Sequence, residues 1–359
     1  MNQNRINRVL EGMKERQLTQ LFVADWKSIW YLTGYSCEPY ERMYGLYLNA
    51  SGRIVFVLNR LFMDPGDEFE KIWYSDTDDG PKLLSELIDP EKPLGIDKIW
   101  PARFLIPLMG YAPKATPVLA SSIVDDCRAR KDNEEILLMK EASRVNDEVN
   151  HRARDYVHAG ATEKEIADYI DKQYRLEGSE SNAFTTIVSF GANATDPHHE
   201  PDDTVLREGD CVLIDMGCRK NRYCSDMTRT FFYKTVSDEQ QKVYNIVKAA
   251  NASAEKALRS GVKLSDIDGI ARKIITDAGY GPYFTHRLGH FIGQDDHELG
   301  DVSSSSEIIA EEGMIFSIEP GIYLPGKFGV RIEDLVLITK DGYEVLNHEP
   351  KELTVLTEK

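Results

Sequence analysis

Apolar positions recur along the chain at two periods. In the first third, short apolar runs alternate with helical patterns. Leu21 to Ala24 reads as a buried strand. Leu46-Tyr47-Leu48 and Arg53 to Leu58 flank Asn49-Ala50-Ser51-Gly52, a turn-forming tetrad, and predict a hairpin. Leu94-Gly95-Ile96 is a further strand, and Pro101 opens a helix. This reads as a small α/β domain with neither a phosphate loop nor a dinucleotide fingerprint. From Asn133 to Val157 the period changes: Leu138, Ala142, Val145, Val149 and Val157 recur at helical spacing and predict one long helix. The boundary is placed around Ala129 to Lys131, giving domains 1–128 and 129–359.

The second part repeats itself at an offset of 101 residues. Gly160, Ile166 and Gly178 correspond to Gly261, Ile267 and Gly279. Each copy reads as a Gly-ended helix, a short link and an amphipathic helix closed by Gly. Thr162 with Glu165 predicts a capping box on the first copy. Ser237 with Gln240 predicts another before the second. Two strand-like runs follow each copy: Cys211 to Gly217 and Tyr223 to Tyr233, then Met314 to Tyr323 and Val330 to Ile338. Helices plus a hairpin, twice, predict a pseudo-twofold α+β domain with its site between the halves.

Charge narrows the partners. Of 359 residues, 60 are acidic and 43 basic, a net charge of −17. Such a surface repels phosphate backbones and anionic membranes, so neither nucleic acid nor membrane is expected as a partner. No apolar run reaches the roughly 18 residues of a membrane span, and Met1 to Arg16 has no secretory core. The five cysteines include no C-x-x-C pair and are expected to be reduced thiols in a cytoplasmic protein.

Within this acidic chain a few acids sit where acids are costly. Asp215 interrupts the apolar run Val212-Leu213-Ile214, and Asp226 follows eleven residues later. With a turn at Lys220-Asn221 the two would face each other, their Cβ atoms about 5 Å apart. Facing carboxylates need a shared proton or a cation. Glu319 and Glu333 repeat the arrangement, centred on Gly326. Four acids on two related hairpins predict two divalent cations, with Mn²⁺ favoured over Zn²⁺ by ligand hardness. Histidines cluster late, at His198, His199, His286, His290 and His297, and Gly289 beside His290 allows close backbone approach.

Asp215, Asp226, Gly289-His290-Phe291-Ile292-Gly293, Ile318-Glu319-Pro320-Gly321 and Arg331-Ile332-Glu333-Asp334 resemble the metal signature of the Xaa-Pro peptidases. These are prolidase and aminopeptidase P, pita-bread metallopeptidases with a creatinase-type first domain. The resemblance spans nearly the whole chain and implies the following roles. Asp215 chelates one metal. Asp226 and Glu333 bridge two. His290 and Glu319 hold the second, and Glu319 also handles the proton of the bridging water. His198 contacts substrate, His297 stabilises the tetrahedral intermediate, and Arg331 orients ligands or substrate. It further implies Mn²⁺, with Co²⁺, Zn²⁺ or Fe²⁺ as alternatives, a proline-containing di- or oligopeptide substrate, and a homodimer. Phe291, Leu299 and Gly300 depart from the family pattern, and Asp301 to Glu307 lacks the arginine that reads a dipeptide's carboxylate in some prolidases. Glu38-Pro39-Tyr40-Glu41-Arg42 resembles a prolidase loop that supplies such a residue, which makes Arg42 a candidate; a local Glu41–Arg42 pair on an exposed loop is the alternative. The expected activity is an Xaa-Pro dipeptidase, with an aminopeptidase P as the nearest alternative. Non-metal creatinase-like enzymes and non-catalytic pita-bread binding proteins lose metal ligands, and all five are present here.

Overall fold

In the computed structural model, which describes residues 1–357, the chain forms two compact units, Met1–Arg128 and a second beginning at Ala129. The first unit is built on one mixed sheet. Its strands are β1 (Gln20–Val23), β2 (Gly45–Asn49), β3 (Ile54–Asn59), β4 (Glu70–Tyr74), β5 (Leu94–Ile96) and β6 (Pro117–Leu119), in the spatial order β4-β3-β2-β1-β5-β6. The anticipated hairpin is β2–β3. Strand residues alternate between two apolar clusters, one holding Leu21, Val23 and Phe56, the other Phe22, Val55 and Val57. Both faces are therefore covered, as the continuous apolar runs require.

The second unit realises the repeat. Helix Glu163–Leu176 and helix Leu264–Asp277 lie 101 residues apart in sequence. Gly160, Gly178, Gly261 and Gly279 all have positive φ, the conformation that ends a helix without a Cβ penalty. The long helix runs Asn133–Tyr156 under a capping box of Asp132 and Glu135. Ser237 and Gln240 form the expected box on helix Asp238–Lys256. The Thr162–Glu165 box is only half made: Thr162 accepts from the Glu165 amide, but the Glu165 side chain turns to Tyr156 and His158.

One half of the unit carries β7 (Ser181–Asn182), β8 (Ile187–Phe190), β9 (Cys211–Met216), β10 (Cys218–Lys220), β11 (Tyr223–Cys224) and β12 (Met227–Tyr233). The other carries β13 (Gly289–Phe291), β14 (Glu298–Val302), β15 (Ile315–Ile318), β16 (Gly321–Leu324), β17 (Phe328–Arg331), β18 (Asp334–Thr339) and β19 (Gly342–Val345). The short β20 (Val355–Leu356) joins β12, giving sheets ordered β20-β12-β9-β8 and β14-β13-β15-β18-β19. On β9, Val212, Ile214 and Met216 pack on the helices of the first copy, while Cys211 and Leu213 turn to the other core. By parity Asp215 shares the second face. Among the described residues no helix is long and apolar enough to cross a membrane, and all five cysteines are free thiols.

Candidate active site

The two hairpins deliver their acids with different registers. In the second, Gly321 faces Arg331 and Ile318 faces Asp334, so the ladder on either side of Glu319 and Glu333 has the anticipated centre at Gly326. In the first, Asp215 faces Thr228, not Asp226. The turn is Asn221-Arg222, both with positive φ, which is the twist a two-residue hairpin turn demands. That moves the register by two, places Asp226 just before β12, and gives Thr228 the seat opposite Asp215.

Asp215, Asp226, His290, Glu319, Glu333 and Arg331 nevertheless line one cavity of about 690 Å³, with His198 and His297. Single ligand atoms of Asp226, His290 and Glu333 all lie within 4.8 Å of one another. His290 Nε2 is 3.4 Å from Asp226 Oδ2 and 3.6 Å from Glu319 Oε1. His290 Nδ1 is 3.2 Å from the Phe291 carbonyl; a carbonyl only accepts, so Nδ1 carries a proton and Nε2 is the nitrogen turned to the acids. Gly289 permits this approach: a Cβ there would lie 1.9 Å from the Ser317 carbonyl oxygen. Ser317 Oγ accepts from the His290 amide and donates to Glu319 Oε1.

Such crowding is unfavourable for bare carboxylates. Burial, then Asp215, raises the Asp226 carboxyl well above its usual range. Burial, then Asp226 and Glu319, does the same for Glu333. Glu319 is pushed up to about 7 by burial, against the opposing pull of His290 and Arg331. Asp215 Oδ1 and Asp226 Oδ1 are buried without a hydrogen-bond partner. Orphaned oxygens, an imidazole nitrogen aimed at the acids and mutually repelling acids fit divalent metal, which satisfies all three.

Supporting groups fix the acids. Arg331 Nη2 donates to Asp215 Oδ2 at 2.6 Å, Nη1 to the Tyr323 hydroxyl and Nε to Thr228 Oγ1. Thr228 Oγ1 donates to Glu333 Oε2 at 2.6 Å. Tyr323 bonds His286 Nε2, and burial, then Arg331, lowers His286 to about 4. Behind them the buried Arg229 donates to the carbonyls of Thr228, Glu333 and Glu349 and pairs with Asp334 at 2.7 Å. Lys351 in turn bridges Asp334 and Glu255. The His297 ring packs against His290, with centroids 3.8 Å apart and planes tilted by 36°. Desolvation by the cavity wall, then His290, lowers His297 to about 4, so it stands neutral at pH 7. Arg42, in the first unit, pairs with Asp76 at 2.9 Å and with Glu41 at 2.7 Å.

Thr228, Tyr323, Ser317 and Arg287 are site residues that sequence reasoning passed over. Parity was the available signal for the first: Thr228 lies on β12 two residues after Asp226.

Residues 137–340 match the model of metallopeptidase family M24, and residues 5–130 match the creatinase/prolidase N-terminal domain. An uncharacterised peptidase of Staphylococcus haemolyticus is 36% identical over 97% of this chain and its own full length. A prolidase structure from Thermococcus sibiricus matches with a TM-score of 0.93 at 33% identity, covering 99% of both chains. A dipeptidase structure from Pyrococcus horikoshii matches with 0.92 at 34% identity, covering 98% of this chain and 100% of that one. The chain belongs to metallopeptidase family M24: an α/β creatinase-type domain followed by an α+β pita-bread domain, in a family that uses divalent metals.

Proposed function

We propose that this protein is a dinuclear metal-dependent dipeptidase that hydrolyses the bond before proline. The observation that carries the reading is the convergence of Asp215, Asp226, His290, Glu319 and Glu333 on one cavity with two buried oxygens left unpartnered. Two divalent ions on these ligands would acidify a shared water and polarise the scissile carbonyl. Mn²⁺ is favoured by the oxygen-rich ligand set, with Co²⁺, Zn²⁺ and Fe²⁺ as alternatives.

The remaining work falls to the chain. Glu319 takes the proton of the attacking water and passes it to the proline nitrogen, which has no N–H of its own. His198 and His297 line the cavity and donate to the oxyanion as it develops. Arg331 has a fixed partner on each of its three nitrogens, so its task is to hold Asp215 rather than to meet substrate. Arg287 is different. It lines the cavity, makes no ion pair among the described residues, and its side chain bonds only His297 Nδ1, at 3.2 Å. A guanidinium so placed suits the C-terminal carboxylate of a short substrate. Arg42 would have to release Asp76 and Glu41 to do the same. The similarity to a prolidase and to a dipeptidase structure supports the same reading. It also makes the enzyme a cytoplasmic homodimer, to be checked by sedimentation velocity and cell fractionation.

The test is hydrolysis of Leu-Pro and of longer Leu-Pro-Pro-type peptides by chelated enzyme, with and without added Mn²⁺. Metal-dependent cleavage of Leu-Pro alone is expected. Preference for the longer peptides would make the enzyme an aminopeptidase P. Cleavage of neither, despite bound metal, would overturn the reading.

A further inference from the structure

Outside the metal ligands, one buried carboxylate has no part in the chemistry above. Glu163, the first residue of helix Glu163–Leu176, has no exposed surface. Its Oε1 accepts from the Phe190 amide at 2.7 Å and from Asn193 Nδ2 at 3.0 Å. Its Oε2 accepts from His199 Nε2 at 2.7 Å and from the Asp202 amide at 3.1 Å. Glu163, His199 and Asp202 lie close enough to bracket a cation. The four N–H donors already fill the carboxylate's capacity, so this cluster is not read as a second metal site.

What the four bonds share is a single stretch of chain. Phe190 ends β8, Asn193 lies in the helical turn Gly191–Thr195, and His199 and Asp202 bound the far side of the loop. Between them sits His198, in the cavity. The His198 side chain has no hydrogen-bond partner among the described residues; only its amide is tied, to Asp196 Oδ1 at 3.0 Å. Its place must therefore come from the loop backbone, which is held locally by Asp196, from outside by Arg331 at 3.5 Å on the Pro197 carbonyl, and at the adjacent residue by His199 on Glu163. A carboxylate at a helix N-terminus is also favoured there by the helix dipole.

We propose that Glu163 is a positioning residue: by clamping residues 190–202 at four points it sets His198 against the substrate. This rests on the reading in which His198 donates to the reacting carbonyl. Glu163→Gln puts an amide N–H₂ where two donors point, so one side of the clamp opens. A displacement of about 1 Å at a catalytic group can cost on the order of 10²-fold in rate.

The experiment is a double-mutant cycle on Leu-Pro hydrolysis by the Mn²⁺-loaded enzyme, with metal content measured alongside. His198→Ala is expected to lower kcat by about 10²-fold, the cost of one oxyanion donor. Glu163→Gln should fall by a similar factor with metal content intact. The double variant should lie within about twofold of His198→Ala, because the clamp then has nothing to position. His199→Leu provides an independent cut of the same clamp if Glu163→Gln fails to fold. It should show the same loss and the same masking by His198→Ala, while His199→Gln, which keeps a donor, should recover most of the rate. Losses that multiply in the double variants would overturn the proposal while leaving the metallopeptidase reading intact. A harmless His198→Ala would overturn both the donor role and the clamp.

Discussion

Replacing Asp226 by Asn should change stability with opposite sign in the metal-free and metal-loaded protein. Asp226 and Glu333 have ligand atoms within 4.8 Å of each other, both side chains buried. Two unit charges at that distance repel by about 3.5 kcal/mol at an effective dielectric constant of about 20. Arg331, the Thr228 hydroxyl and proton uptake by these raised carboxyls offset part of this, so replacing one of them with its neutral isostere should relieve about 1–3 kcal/mol. A domain of this size shifts by about 2–4 °C per kcal/mol, which puts chelated Asp226→Asn roughly 2–12 °C above chelated wild type. Metal reverses the order. Loading at about 1,000 times Kd stabilises wild type by about 4 kcal/mol, or roughly 8–16 °C on the same scale, and a neutral Asn oxygen forfeits much of that. Scanning calorimetry of EDTA-dialysed and Mn²⁺-reconstituted samples, with metal content measured on each, gives all four midpoints. A chelated variant melting below chelated wild type would refute the repulsion argument. An undiminished metal-induced rise would remove Asp226 from the ligand set.

His297→Ala should lower kcat by about 10²–10³-fold if its imidazole donates to the oxyanion; steady-state kinetics at unchanged metal content decide it. Arg287→Ala should raise KM for Leu-Pro by about tenfold or more while sparing Leu-Pro-amide, which has no carboxylate to read; equal losses on both would return Arg287 to a support for His297. Arg42→Ala should leave KM for Leu-Pro unaltered if Asp76 and Glu41 hold that side chain in solution as they do here, and a raised KM would reinstate it as a substrate group. Gly289→Ala should cost several kcal/mol of stability and much of the metal content, since its new Cβ would meet the Ser317 carbonyl; a normal melting curve would show that β13 can shift away.

The helices of the second unit were legible from local signals, the apolar period together with a cap or a closing glycine within a few residues; most helices of the first unit, such as Gln3–Glu15 and Trp26–Thr33, were not read from the sequence. The second hairpin was legible for the same reason, with Pro325-Gly326 marking its turn. The first was misplaced by two residues because its turn uses Asn221 and Arg222 in a left-handed conformation, and an arginine gives no local warning of that. The four acids and one histidine of the candidate metal set stood out as polar residues in or beside apolar strands. Their supports did not. Thr228 and Arg229 act through partners in the other half of the domain, Tyr323 through a histidine 37 positions earlier, and Glu163 through residues 27 to 39 positions later. A side chain whose role depends on such distant partners looks, in sequence, like any other.

Arg229 places a condition on how the enzyme is made. Its guanidinium joins the strand after Asp226 to the Glu333 carbonyl and to Glu349, and Lys351 closes on Asp334. A chain made only as far as Asp334 would therefore lack the groups that back the candidate ligands from behind: Arg229 would miss the Glu349 carbonyl and Asp334 would miss Lys351. Residues near 350 must be in place before the site is supported as it is here.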